Sequence, residues 1–272
     1  MVGFAGKAGR YIKYVIAAQL IDAAINVIPA LSAGDKPPDA INFAGGGDFN
    51  SIGDQNVQGL IQFADLKDGG VVVEIGCAIG RNTMALHRHF ADRIDYMGFD
   101  IVRYGITWCR KHFSRNNRYR FLHADIYNSF YNPRGRLSPA TYRFPADDAS
   151  ADVVFATSVF THMQRSEVSH YISETSRITR LGGRCYFTFF LLDDESERAI
   201  QSGVASLTFP HQRDGCRIEN AAEPDMAVAY PHSIVESMLR SAGFEPLCVH
   251  RASWRGLKDI YYQDIVVASR IR

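Results

Sequence analysis

A chain of 272 residues with 46% apolar and 22% charged side chains suits one large globular α/β domain with an appended segment better than two full domains. Thirty basic against twenty-nine acidic side chains leave a net charge of +1. There is then no global field to draw in nucleic acid, and no nucleic-acid partner is expected. The five cysteines, at positions 77, 109, 185, 216 and 248, form no C-x-x-C pair and no Cys/His cluster with zinc spacing. Reduced thiols in a cytoplasmic protein, with no bound metal, are the expectation.

Lys7, Arg10 and Lys13 accompany a mostly apolar stretch from Ile12 to Leu31. Gln19, Asp22 and Asn26 interrupt it, and no A-x-A pattern follows, so it reads neither as a leader nor as a membrane span. Ile12, Val15, Ile16, Leu20, Ala23, Val27 and Ile28 recur at helical spacing, with Asp22 and Asn26 on another face. An amphipathic helix over residues 10–31 is predicted, packing on the domain, on a second copy in a homodimer, or on the inner face of a membrane as a peripheral contact. The Gly-, Pro- and Asn-rich segment SAGDKPPDAINFAGGGDFN then reads as a linker or flap, placing a boundary near residue 50. Residues 1–50 would be the appended part and 51–272 the domain. Val57, Leu60, Ile61 and Ala64 mark a short helix, with a cap signal at Ser51 to Asp54.

From here apolar runs alternate with helical patterns. The runs are VVVEI (71–75), IDYMGF (94–99), YRFLH (119–123), ADVVFAT (151–157) and CYFTFFLL (185–192). Helices are predicted around 81–90, 104–114 and 166–179, the last with Val168, Tyr171, Ile172, Thr175 and Ile178 on one face. This alternation implies a parallel sheet covered on both sides by crossover helices, a doubly wound α/β fold. SIVESMLRSAGF reads as a helix with a capping box from Ser233 to Glu236 and a stop at Gly243. Two strand-like runs follow, EPLCVHRA and YYQDIVVAS, joined by only WRGLKD. That connection is too short for a crossover, so the pair is predicted antiparallel.

A strand, a glycine-bearing turn and a helix aim backbone N–H groups at a ligand, and EIGCAIG at 74–80 has that order. The dinucleotide spacing G-x-G-x-x-G is absent, which disfavours a nicotinamide-dependent sugar-modifying enzyme. Asp100 ends the second run, where a carboxylate can meet ribose hydroxyls; Asp125 follows the third, and Ser158 to His162 follow the fourth. Each aspartate could instead merely cap the next helix.

The succession EIGCAIGR, GFDI, HADIYN, SVFTHM, RLGGRCYFTFF, AGF and YQDIVVA resembles class I S-adenosylmethionine-dependent methyltransferases over about residues 50–270. It is similar above all to a bacterial subgroup associated with sugar, glycolipid or polysaccharide biosynthesis. The resemblance implies a seven-stranded, mostly parallel sheet with an antiparallel last strand. It also implies S-adenosylmethionine as donor and S-adenosylhomocysteine as product. Gly76, Cys77 and Gly80 would flank the methionine part, Asp100 would hold the ribose, Asp125 and Ile126 would flank the adenine, and Ser158 would lie by the sulfonium. Glu74, Arg81 and Ile101 complete the expected set. Ala78 departs from the family's E-x-G-x-G-x-G, standing at its middle glycine, and altered backbone packing without loss of binding is expected there.

Transfer to a sugar hydroxyl would gain from a general base. His162 is the first candidate, with His211 and His232 behind it; His162 could equally be a structural or capping residue. No cluster of carboxylates near the fourth strand end argues for metal assistance. The insertion IYNSFYNPRGRLSPATYRFPADD interleaves aromatics with Arg134, Arg136 and Arg143 and could line an acceptor pocket or be a pinned surface loop. A second insertion, 193–230, is expected to act as a lid, and Trp254 with Arg255 either lines its mouth or fills a corner. The expected acceptor is a small molecule, glycan or glycolipid. A catalytically inactive, membrane-docked scaffold of the same fold is the competing reading.

Overall fold

The computed structural model describes residues 17–272. They fall into two compact units, one comprising the described residues up to Val57 with Glu74–Tyr142, the other Gln58–Val73 with Arg143–Arg272. Lys7, Arg10, Ile12, Lys13, Val15 and Ile16 lie outside the described residues.

In the first unit, β1 (Val71–Ile75, whose first three residues belong to the second unit) neighbours β2 (Asp95–Asp100). β3 (Tyr119–His123) runs parallel to β2 in a register from Tyr96 opposite Tyr119 to Asp100 opposite His123. The N-terminal helix α1 spans Ala18–Val27, and α2 (Phe49–Ala64) crosses from the first unit into the second. The crossovers carry α3 (Arg81–Phe90) and α4 (Arg103–His112). Asp48, not Ser51, starts α2: its carboxylate accepts the Ser51 N–H at 2.8 Å.

The appended segment is docked on α4. Trp108 Nε1 donates to the Leu31 carbonyl at 2.8 Å, and Phe43 meets Tyr104 edge to face at 5.1 Å. The orientation of α1 shows that its apolar stripe is not the face that packs on α4. Leu20 and Val27 are 71% and 75% exposed, while Ile25 is buried. Asp22, on a different face from that stripe as expected, accepts a hydrogen bond from the Thr107 hydroxyl and pairs with Arg103 at 3.5 Å. Polar anchoring to α4 overrides the apolar stripe.

In the second unit, β4 (Ala151–Ala156) and the fourteen-residue β5 (Thr179–Leu192) run parallel, with α5 (Arg165–Ile178) between them in sequence. Gln164 and Glu167 form a capping box at the start of α5. The Val71 N–H at the start of β1 donates to Asp152 at 2.7 Å. β9 (Phe244–His250) and β10 (Asp264–Arg270) pair antiparallel, and β10 also lies antiparallel on β5, with Asp264 opposite Phe189. The last helix, α7 (His232–Ser241), begins one residue before the expected Ser233 cap, directly after Pro231, and has no side-chain cap. Gly243 takes the left-handed φ of +87° expected at its stop.

The fold is therefore α/β with a mostly parallel central sheet and an antiparallel C-terminal strand. Elements beyond the expected set lie in the 193–230 insertion. They are α6 (Asp194–Gln201), capped by Asp193, and the short strands β6 (His211–Arg213), β7 (Cys216–Ile218) and β8 (Val228–Pro231). β8 extends the end of β5 in parallel, through Phe190 to Leu192. Strands of three or four residues are too short to show a period in sequence. Among the described residues, no helix is long and apolar enough to cross a membrane.

Candidate cofactor and acceptor sites

The turn after β1 is built by β2. The N–H groups of Gly76 and Cys77 both donate to the Phe99 carbonyl, at 2.9 and 3.2 Å, and the Gly80 N–H closes the turn on the Cys77 carbonyl at 2.9 Å. Gly80, at φ +86°, caps α3 in the left-handed region. Ala78 sits there too, at φ +49°. An alanine in that region carries strain of about 1–2 kcal/mol that glycine would not. Its N–H is held at 2.8 Å by one oxygen of Asp100, whose other oxygen accepts the Val102 N–H at 2.7 Å.

Asp100 is buried, and that burial raises its pKa to about 6 against the opposing N–H bonds of Val102, Ala78 and Ile101. These three N–H groups take three of the carboxylate's roughly four lone-pair directions and leave one for an outside hydroxyl. Ile101 follows it, and its carbonyl meets His123 Nε2 at 3.2 Å. Arg81 reaches the other way: Nη2 donates to the Gly45 carbonyl at 2.8 Å, and the guanidinium lies 5.6 Å over Phe49. This ties the glycine-rich segment near residue 45 to the first turn of α3.

Glu74 is fully buried below the turn. Tyr96 donates to one of its oxygens at 2.5 Å and Asn82 to the other at 2.8 Å. Thr83 donates to the Tyr96 hydroxyl, and Asn56 of α2 to the Asn82 carbonyl oxygen, both at 2.8 Å. Burial raises the Glu74 pKa from 4.5 to about 7, with the Asp100 charge adding to the rise and the hydrogen bonds opposing it. Between those two values the unfolded chain has released a proton that the folded protein keeps. The native state therefore loses stability as pH rises through this window. Glu74→Gln is expected to flatten that fall, measured by urea melts at about pH 5 and about pH 7.5. A slope equal to that of the wild type would contradict it.

Asp125 and Ile126 follow β3. Asp125 accepts Arg136 Nε at 2.6 Å and Asn132 Nδ2 at 3.3 Å, and these contacts, led by the Arg136 hydrogen bond, hold its carboxyl below the usual range. Ile126 is buried.

In the second unit, Ser158 follows β4 with a φ of +56°, outside the range a serine ordinarily adopts. Its N–H donates to Thr188 Oγ1 at 2.7 Å, and its hydroxyl donates to Gln263 Oε1 at 3.0 Å. Thr188 Oγ1, having accepted that N–H, donates its own proton to Gln263 Oε1 at 2.7 Å. Two hydroxyl donors thus fix the Gln263 amide orientation. Thr188 and Gln263 went unnoticed in the sequence because single polar residues within or beside a strand carry no motif.

His162 lies in the short turn after Ser158, with Nδ1 3.0 Å from the Asp225 carbonyl; burial lowers its pKa against the raising effect of backbone contacts at Asp225 and Met226. His211 is exposed on β6, and His232 is half-buried at the first residue of α7. Trp254 and Arg255 are buried and fill a corner: both donate to Asp264, at 2.8 and 2.9 Å. Among the described residues, no group of three or more His, Cys, Asp or Glu side chains is placed to hold a metal ion.

Residues 73–187, the stretch that carries the loop and both aspartates, match the family profile described as a methyltransferase domain. The fold is that of a class I methyltransferase. Among solved structures, the methyltransferase fold here is similar to the 1,6-didemethyltoxoflavin-N1-methyltransferase of Burkholderia thailandensis, solved with 1,6-didemethyltoxoflavin and S-adenosylhomocysteine bound. The TM-score is 0.54 at 15% identity, over 81% of this chain and 79% of that one. Magnesium protoporphyrin IX methyltransferase from Synechocystis PCC 6803, also with S-adenosylhomocysteine, gives 0.52 at 19%, over 83% and 90%. The [4+2]-cyclase SpnF gives 0.56 at 15%, over 94% and 96%. At such identities the likeness is one of fold. These three proteins differ in substrate, and one is a cyclase, so the methyltransferase fold alone leaves the acceptor open.

Proposed function

We propose that this chain transfers the methyl group of S-adenosylmethionine to a hydroxyl of a sugar, glycolipid, polysaccharide or related metabolite, releasing S-adenosylhomocysteine. The observation that carries the donor half of this reading is the Asp100 carboxylate. It fastens the Ala78 N–H of the turn while retaining a lone-pair direction for a ribose hydroxyl. Gly76, Cys77 and Gly80 would accommodate the methionine part, with Arg81 and Ile101 at its flanks. Glu74 would act from beneath by holding the turn. Titration calorimetry with S-adenosylmethionine tests this directly: saturable micromolar binding is expected, and its absence would overturn the reading.

The sulfonium is an activated donor, so the protein's task is to align the acceptor and accept a proton. Ser158 and His162 follow β4 and would face the acceptor. A His162 ring that donates Nδ1–H to the Asp225 carbonyl would carry its lone pair on Nε2, the form a general base requires. His162→Ala is expected to lower methyl transfer about a hundredfold with cofactor affinity intact. Tritiated-methyl transfer to a panel of saccharides and glycolipids measures it. An unchanged rate would move the role to His211 or His232, or to alignment alone. The outward Leu20 and Val27 of α1 support a contact with a second copy or a membrane surface.

A further inference from the structure

α1 is fastened to α4 through one row of residues on each helix. Asp22 takes the Thr107 hydroxyl and Arg103, and Lys111 Nζ donates to the Asn26 carbonyl at 3.3 Å. At about 3.6 residues per turn, Leu20 and Val27 stand on the side of α1 opposite that row. Ile28, 46% exposed, carries the apolar surface past the helix end. None of the exposed residues from Gln19 to Ala30 is charged. Charge lies only beside this surface, and it is mostly positive. Arg103 is 75% exposed and Lys111 is exposed, while α4 carries no acidic residue. The one acid of α1, Asp22, is 19% exposed and already paired. The next acid, Asp35, is followed at once by Lys36, which pairs with Asp39 at 3.0 Å. Residues 1–21 contain no acid and three basic side chains, Lys7, Arg10 and Lys13.

We propose that this face docks on an anionic lipid surface, with Leu20, Val27 and Ile28 entering the headgroup boundary and Arg103 and Lys111 meeting lipid phosphates. An apolar helix face flanked by cations is the pattern of helices that lie in a membrane interface, their apolar side about 5–10 Å deep. Arg103 and Lys111 stand behind a helix about 10 Å across. Their long stems can therefore hold charge at headgroup level while the stripe is immersed. A second copy fits the face less well, on two counts. A ten-residue helix is about 15 Å long and about 10 Å wide. That footprint is far short of the about 800 Å² that each partner of a stable dimer covers. An isologous contact would also bring Arg103 and Lys111 of one copy toward those of the other, with only Asp22 of each to offset them. Docking is independent of the methyl donor, and it narrows the contact proposed for α1 to one partner.

The test is flotation of the full chain with phosphatidylcholine vesicles and with vesicles enriched in phosphatidylglycerol. Binding to the anionic vesicles is expected to be about tenfold tighter or more, and to weaken as salt is raised. Leu20→Asp with Val27→Asp should reduce it about tenfold or more. Lys111→Gln should reduce it about fivefold, the contribution of one cation at an anionic surface. Leu20 and Val27 are exposed, so the double variant should keep the wild-type melting temperature, and its loss of binding then reports the stripe and not the fold. Flotation that is absent, or equal with neutral and anionic vesicles, overturns the proposal. So does flotation of the double variant at the wild-type level. A dimer in sedimentation equilibrium that the double variant dissociates, with no flotation, gives the face to a second copy instead. S-adenosylmethionine binding is measured separately by calorimetry, so failure of docking and failure of the cofactor reading are distinct results.

Discussion

Replacing Asp264 by alanine is expected to lower stability by about 3–5 kcal/mol, the range for breaking a buried ion pair from one side. Asp264 and the Arg255 side chain are both 0% exposed and meet at 2.9 Å. The same carboxylate accepts the N–H groups of Leu191 and Ala252, at 3.0 and 2.9 Å, and Trp254 Nε1 at 2.8 Å. It therefore ties β5 to the segment before β10 and to the corner at Trp254. Alanine would leave the guanidinium with Asp193 at 2.9 Å and the more exposed Glu195 at 3.6 Å as its carboxylate partners. Urea unfolding followed by tryptophan fluorescence measures the cost. The double variant Asp264→Leu with Arg255→Met should cost less than the sum of the two single changes, because it leaves no buried charge alone. A loss below about 1 kcal/mol for Asp264→Ala would show that the pair contributes nothing beyond packing.

Asp100→Ala is expected to weaken S-adenosylmethionine binding about a hundredfold or more, read by calorimetry at neutral pH. A charge-assisted hydrogen bond to the ribose contributes about 1.5–3 kcal/mol. The variant also releases the Ala78 and Val102 N–H groups, so the strained turn loses its anchor as well as its acceptor. Asp100→Asn separates these roles: the amide oxygen can hold one N–H, but the opposite end presents donors where acceptors are needed. Equal affinity in all three proteins would remove Asp100 from the site.

Much of the sheet was legible because its strands are continuous apolar runs and its crossovers are periodic. β1 and β3 have the expected limits, and α3 covers the predicted 81–90. The antiparallel ending followed from a connection too short for a helix. Which face of α1 packs on α4 was not legible, because periodicity shows which residues share a stripe, not which stripe a neighbour covers. Asp22 found partners in Thr107 and Arg103, far along the chain. Tyr96 and Asn82 converge on Glu74 from two elements, with Asn56 of α2 backing Asn82, and Thr188 of β5 and Gln263 just before β10 meet Ser158. Such convergence is a property of the folded chain, and no local spacing encodes it.

The placement of β10 against β5 has a consequence for how the protein is made. Residues 184–189 of β5 wait for partners at 264–269, so the pairing is strongly non-local and closes late. Until then the CYFTFFLL stretch presents an uncharged aromatic edge with β-propensity and no proline, the composition that recruits foreign strands. A ribosome that has made β5 but not β10 therefore holds a sticky intermediate. Yield in cells should be governed by how long that edge stays open, more than by the stability of the finished sheet.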